Sequence, residues 1–170
     1  EFRRVLFRSS SEAARVISAN DSYEAAVRLI LLLVDLGISV SVENPKNSLF
    51  WLTSMMQRLY KAVKGGHETI FHSCMHGGTR DKATKFWSFN PRAPEVNLFA
   101  SLALECDRSH PHQSWRPRFV DGRWIFPTKD EAAYPVLLCE RMASILLQEA
   151  TCRGLAPDDS LTQQLQHDSA

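Results

Sequence analysis

Residues 37–51, GISVSVENPKNSLFW, contain the change of pattern that decides the predicted fold. The preceding residues 23–36 place apolar side chains at helical spacing, and the glycine after them is suited to ending a helix. Residues 38–42 alternate Ile, Val and Val with Ser, which is typical of a strand. Asn44 then predicts a helix N-cap, with Pro45 at the first helical position, where a missing N–H costs little. The stretch therefore predicts a helix, a strand and a second helix, with an acidic side chain at the junction.

The rest of the chain continues this mixture of helices and strands. Residues 69–73 and 84–89 are rich in β-branched and aromatic side chains, and the glycines between them predict a hairpin. Residues 107–123 are irregular and rich in His, Trp, Arg and Pro, and residues 129–152 predict a closing helix. Alternation of helices and strands predicts an α/β sheet with parallel members, and the hairpin predicts an antiparallel pair at its edge.

Composition limits the classes of protein to consider. The 170 residues are 44% hydrophobic and 23% charged, which suits one globular domain. Four scattered cysteines favour a reducing, intracellular location, nuclear in a eukaryote, over a disulfide-linked secreted module. The longest apolar runs are too short to cross a bilayer, so we expect no membrane association.

The first nine residues, EFRRVLFRS, resemble the in-frame translation of a sequencing adapter, and we expect them to be an artefact. They contain three arginines and one glutamate, so without them the formal net charge changes from +1 to −1. Overall charge therefore gives no argument for nucleic-acid binding, which must depend on local patches. We also expect an upstream part of the protein to be missing. The predicted organisation is an artefactual start at residues 1–9, a partial α/β domain at 10–105, an irregular lobe at 106–127, a closing helix at 128–154 and a polar tail at 155–170.

Three segments resemble motifs of the cytosine-C5 DNA methyltransferases. SVENPKNSLFW is similar to their strand-end Glu-Asn-Val segment, with Pro45 in place of Val. CMHGGTRDKATKFWSF, residues 74–89, is similar to the next signature, and EAAYPVLLCERMASIL, residues 131–146, is similar to the closing helix. The resemblance implies the C-terminal half of a Rossmann-like class I methyltransferase sheet with a β-hairpin edge.

The resemblance also implies a reaction. Glu43 would hydrogen-bond and protonate N3 of a cytosine flipped out of DNA, and Asn44 would orient the loop. S-adenosylmethionine would bind in the same crevice as the methyl donor. The family's nucleophile lies in a Pro-Cys pair and its cofactor loop is glycine-rich, and neither precedes Glu43 in this chain. We therefore expect the 170 residues to be an inactive fragment of the enzyme.

A second pattern concerns metal binding. Cys106, His110 and His112 form C-x3-H-x-H, and Cys74 precedes them in the predicted hairpin. Two thiols and two imidazoles are a ligand set that zinc accepts in tetrahedral sites. The alternative is an ordinary loop with a buried cysteine and solvent-facing histidines.

The candidate DNA-binding residues combine cations with an aromatic ring, a mixture suited to phosphates and to stacked bases. In the lobe they are Arg108, Trp115 and Arg116. In the hairpin Arg80, Lys82 and Thr84 occupy the positions of the family's Gln-x-Arg-x-Arg pattern.

Two other functions stay open on the sequence alone. One is a non-catalytic, zinc-stabilised nucleic-acid-binding module from a mobile-element polyprotein. The other is an amino-methylating enzyme acting on adenine N6 or cytosine N4, which uses an Asp/Asn-Pro-Pro-aromatic loop. Asn44-Pro45-Lys46 matches the first two positions of that loop alone.

Overall fold

The computed structural model describes residues 10–128 and 133–154, which form a mixed α/β structure. The described elements, in chain order, are α1 (Ser10–Asp35), β1 (Val40–Pro45), α2 (Ser54–Ala62), β2 (His67–His72), β3 (Ala83–Phe89), β4 (Arg118–Val120), β5 (Arg123–Ile125) and α3 (Val136–Cys152). Short 3-10 turns occupy Leu49–Leu52, Ser73–His76 and Ala100–Leu102. No helix within the described ranges is long and apolar enough to cross a membrane.

The strands form two small antiparallel sheets rather than the parallel sheet that the order of elements predicts. One sheet has the order β1-β3-β2, and the other is the hairpin β4-β5. Ser73 N–H donates to the Lys82 carbonyl at 2.9 Å, which continues the pairing of β2 with β3. Because β3 lies between β1 and β2, the two strands that α2 connects are not neighbours, and the crossover does not produce a parallel pair.

The chain divides into two compact units, whose described parts are residues 10–68 with 85–97, and residues 69–84 with 98–128 and 133–154. The first unit contains a hydrophobic core to which α1, β1, α2 and β3 contribute. A Cβ at Gly66 would lie 2.5 Å from the indole nitrogen of Trp87, so glycine lets this ring pack against the backbone. The buried members of the core are Val27, Ile30, Val40, Phe50, Trp51, Met56, Leu59, Val63 and Trp87.

The junction after β1 differs from the prediction. Asn44 and Pro45 are the last residues of the strand, so Asn44 does not cap a helix. The Pro45 carbonyl instead accepts hydrogen bonds from Ser48 N–H and from the Trp51 indole N–H, each at 2.9 Å, and these close a turn. Thr53 is the N-cap of α2, and its hydroxyl accepts from Met56 N–H. Glu43 nevertheless lies near the carboxyl end of a strand, as predicted.

The helices at the two ends also differ in extent from the prediction. α1 is one helix of 26 residues that begins at Ser10, well before the predicted helical stretch of residues 23–36, and the Ser22 hydroxyl donates to the Ser18 carbonyl inside it. α3 begins at Val136, directly after Pro135. The predicted start of the closing helix at 129–132, the first nine residues and the polar tail lie outside the described residues.

Candidate metal centre

Cys74 is positioned by a tight turn that directly follows β2. It lies in the 3-10 turn Ser73–His76, which ends at Gly77 in the left-handed conformation with φ 88°. Gly78 N–H donates to the Ser73 carbonyl at 2.9 Å, and a Cβ on Gly78 would lie 2.5 Å from the Ser73 hydroxyl oxygen. Gly77 and Gly78 therefore allow the chain to reverse direction tightly, and residues with a Cβ at these positions would force the turn open.

Cys106 is held beside the same turn by the end of β2. Its backbone N–H donates to His72 Nδ1 at 3.2 Å, and His72 N–H donates to the Leu104 carbonyl at 3.0 Å. Arg108 adopts a left-handed conformation with φ 62°, and its backbone N–H donates to Cys106 Sγ at 3.2 Å. This backbone hydrogen bond and the one to His72 together fix the position of the Cys106 sulfur beside the turn.

The four predicted ligands come together in one half-buried cluster. One ligand atom from each of Cys74, Cys106, His110 and His112 lies within 4.8 Å of all the others. Cys106 Sγ lies 3.4 Å from His112 Nε2 and 3.9 Å from His110 Nε2. Tetrahedral zinc, with bonds of about 2.3 Å to sulfur and about 2.0 Å to nitrogen, separates such atoms by about 3.5 Å. These residues are therefore spaced to hold a metal ion.

The electrostatics of the cluster suit a cation. Burial, and to a lesser extent a hydrogen bond to the neighbouring Cys106 and its charge, raise the pKa of Cys74 to about 11. Two adjacent thiolates are costly on their own because their charges repel. A divalent cation reverses this balance, since it is attracted by both thiolates and displaces their protons.

A buried network supports the turn that carries Cys74. His76 is fully buried, with Nε2 3.0 Å from the Leu102 carbonyl and Nδ1 2.8 Å from Arg141 Nη1. Because a carbonyl only accepts and a guanidinium only donates, His76 is neutral with its proton on Nε2. Burial lowers the pKa of His76, and the Arg141 charge lowers it further, which agrees with this assignment. Arg141 also donates to the Met75 carbonyl at 3.1 Å, so α3 is tied to the turn.

Two of the predicted DNA-binding residues are buried. Arg80 is 3% exposed, and its Nε donates to the Ser114 carbonyl at 3.3 Å. Its guanidinium also lies 5.6 Å from the centre of the Trp115 ring. Thr84 lies buried in β3. In this conformation neither Arg80 nor Thr84 presents its side chain to DNA, and Arg80 stabilises the loop that follows the histidines.

The other four predicted DNA-binding residues are at least partly accessible. Arg108 and Arg116 are exposed and Lys82 is half-buried. Trp115 is 41% exposed, and its indole N–H donates to the Asp81 carboxylate at 3.0 Å. This hydrogen bond lowers the pKa of Asp81, so Asp81 is an ionised carboxylate that accepts a hydrogen bond from the neutral indole. Of the predicted DNA-binding residues in the lobe, Arg108 and Arg116 are thus accessible, and Trp115 has a fixed ring.

The predicted catalytic pair lies in the first unit. Glu43 is half-buried in β1, and its Oε1 is buried without a hydrogen-bond partner among the described residues. Asn44 follows it in the same strand and is half-buried. A buried carboxylate oxygen without a donor is uncommon in folded proteins, because desolvation of the charge is costly.

A scan against protein-family models and searches of curated proteins and of solved structures each gave no match for this chain.

Two features of the second unit were not predicted from the sequence. The interaction of His76 with Arg141 joins residues far apart in the chain, and no local pattern indicates it. The hairpin β4-β5, by contrast, is indicated by a local sequence motif. Asp121 and Gly122 both have positive φ, of 50° and 76°, and Asp-Gly between short apolar runs is a strong two-residue hairpin motif.

Proposed function

We propose that this chain carries a zinc-stabilised nucleic-acid-binding module, with Cys74, Cys106, His110 and His112 as the zinc ligands. The observation that carries the proposal is the convergence of these four side chains, from two separate segments, to mutual distances within 4.8 Å. The metal would be structural, because all four ligand positions of a tetrahedral ion are supplied by the protein.

The choice of zinc follows from the ligand types. Thiolates together with imidazoles favour zinc over the hard cations magnesium and calcium, which prefer oxygen ligands. The segment between Cys106 and β4 forms no helix or strand and is mostly exposed. Such a segment has little burial to offset its ordering entropy, so metal binding would contribute directly to its folding.

Nucleic acid is the proposed partner because the metal loop carries accessible cations. Arg108 lies between the ligands Cys106 and His110, and Arg116 follows His112 by four residues. Guanidinium groups bind phosphates well, and Trp115 offers a ring beside them. Zinc would hold this loop in one conformation and so keep the arginines in a fixed arrangement.

We expect the zinc-loaded chain to bind nucleic acid with a strong dependence on salt. Replacing Arg108 and Arg116 together by glutamine should weaken binding and reduce the slope of log affinity against log salt by about 1 for each phosphate that is no longer neutralised. The measurement is fluorescence anisotropy with labelled single- and double-stranded DNA of equal length, over a series of salt concentrations. The matched control is Arg15→Gln, which removes an exposed arginine from α1. An unchanged slope in the double variant would contradict the proposed contact surface.

A second candidate, a portion of a cytosine-C5 DNA methyltransferase, is favoured by Glu43. Its buried Oε1 lies near a strand end and has no hydrogen-bond partner in the part of the chain that the structure describes, so a hydrogen-bonding position is unused, as the proposed contact with cytosine N3 would need. The Rossmann-like sheet and S-adenosylmethionine belong to this proposal. It requires a glycine-rich loop and a Pro-Cys pair encoded in the same reading frame before Ser10, and a longer transcript that lacks both would rule it out. Formation of N6-methyladenine by the longer protein would instead favour the amino-methylating class.

A further inference from the structure

The β4-β5 hairpin exposes two large aromatic side chains on one face. Phe119 and Trp124 are 60% and 61% exposed, and they are directly opposite each other in the strand register. Their rings meet edge to face with centroids 5.3 Å apart. Rings of this size are usually buried, and an exposed pair on a ribbon marks a surface for a partner.

The same hairpin carries positive charge. Arg118 and Arg123 lie on its strands and Arg116 precedes them, whereas Asp121 in the turn is the one acid between residues 116 and 125. Strand alternation places Arg118 and Arg123 on the face opposite the rings. Arginine stems are long and flexible, so their charged ends can reach the edges of a two-stranded ribbon. A ligand lying on the rings would therefore have cations along its flanks.

We propose that Phe119 and Trp124 form a stacking platform for unpaired bases of a single-stranded nucleic acid. The inference rests on the proposed nucleic-acid-binding function and names the form of the ligand. Unpaired bases expose their flat faces and stack on aromatic side chains irrespective of sequence, whereas bases inside a duplex are already stacked on one another. The arginines complement the phosphates of such a strand, which a neutral protein partner would not require.

The test compares ring variants with matched controls in the zinc-loaded chain. We expect Phe119→Leu and Trp124→Leu each to weaken binding of a labelled oligothymidylate of about 15 nucleotides by about tenfold, because each removes one stacking surface. Because leucine keeps an apolar side chain at each position, any weaker binding is due to the loss of the aromatic ring. Leu147→Ala on α3, where the side chain is 52% exposed, controls for removal of exposed apolar surface and should bind normally. Zinc content confirms that each variant is folded.

Tryptophan fluorescence gives a second measurement. Stacking of a base on Trp124 should quench part of the emission of the wild-type chain, and the quenching should be smaller in Trp124→Leu. Tighter binding of the single strand than of a duplex of equal length also supports the platform.

Three results would overturn it. Ring variants that bind as the wild type does, while Arg108→Gln with Arg116→Gln binds weakly, would exclude the platform and leave the module intact. Equal affinity for the duplex, or self-association that the ring variants abolish, would assign the rings to another partner. Failure of the zinc-loaded wild type to bind any oligonucleotide would exclude the proposed function itself.

Discussion

Replacement of Cys106 by serine is expected to abolish stoichiometric zinc binding and to unfold the loop that carries His110 and His112. Cys106 Sγ lies 3.4 Å from His112 Nε2 and 3.9 Å from His110 Nε2 and accepts the Arg108 N–H, so its replacement removes a ligand that contacts both histidines. Binding of a ligand to the folded state alone stabilises it by about 4 kcal/mol when the free ligand exceeds its Kd by about a thousandfold. We expect destabilisation of this order, measured by urea unfolding at fixed free zinc.

The matched control is Cys152→Ser, which changes an exposed cysteine on α3 outside the cluster. It should leave the zinc content and the free energy of unfolding unchanged. Chelation of zinc from the wild type should reproduce the instability of Cys106→Ser, and chelation of that variant should have no further effect. A Cys106→Ser variant that retains one zinc per chain would contradict the assignment of the ligands.

Replacement of His76 by phenylalanine is expected to cost about 2–4 kcal/mol, although it keeps a planar ring of similar volume. The substitution removes a hydrogen bond from the Leu102 carbonyl, which is buried, and another from the half-buried Arg141 guanidinium. His76 also packs edge to face against Phe71 with ring centroids 5.0 Å apart, a contact that phenylalanine can retain. The destabilisation therefore reports the hydrogen bonds, and the free energy of unfolding of the zinc-loaded protein measures it.

A double-mutant cycle distinguishes these bonds from packing. Arg141→Met removes the guanidinium, so adding it to His76→Phe should cost less than the sum of the two single changes. Additive costs, or a His76→Phe variant as stable as the wild type, would show that the network contributes little. Because Arg141 also donates to the Met75 carbonyl, part of its own cost is independent of His76.

Local elements of the fold were predictable because their patterns are local. The hairpin strands β2 and β3 follow from β-branched and aromatic runs separated by glycines, and α2 follows from its apolar spacing. Sheet order was not predictable in this way. The insertion of β3 between β1 and β2 depends on pairing between distant segments, and the alternation of helices and strands fits a parallel crossover equally well.

The junction after β1 shows how one long-range contact overrides a local motif. Asn-Pro is a favourable pair for the N-cap and first position of a helix. Here the Pro45 carbonyl instead accepts a hydrogen bond from the indole N–H of Trp51, six residues later, and the chain forms a turn. For the metal site, the residue types and short spacing of Cys106, His110 and His112 were sufficient to predict three ligands. The fourth predicted ligand, Cys74, lies upstream in the predicted hairpin, and the structure confirms that it lies close to the other three. The burial of Arg80 has no counterpart in the sequence, where an arginine in a polar turn indicates a surface residue.

The most direct test of the account is the metal content and ligand set of the chain purified without a histidine tag. We expect one zinc per chain, with X-ray absorption giving two sulfur ligands at about 2.3 Å and two imidazole nitrogens at about 2.0 Å. A chain that is folded and free of metal at neutral pH in the presence of zinc, or one whose bound zinc has no sulfur ligand, would contradict it.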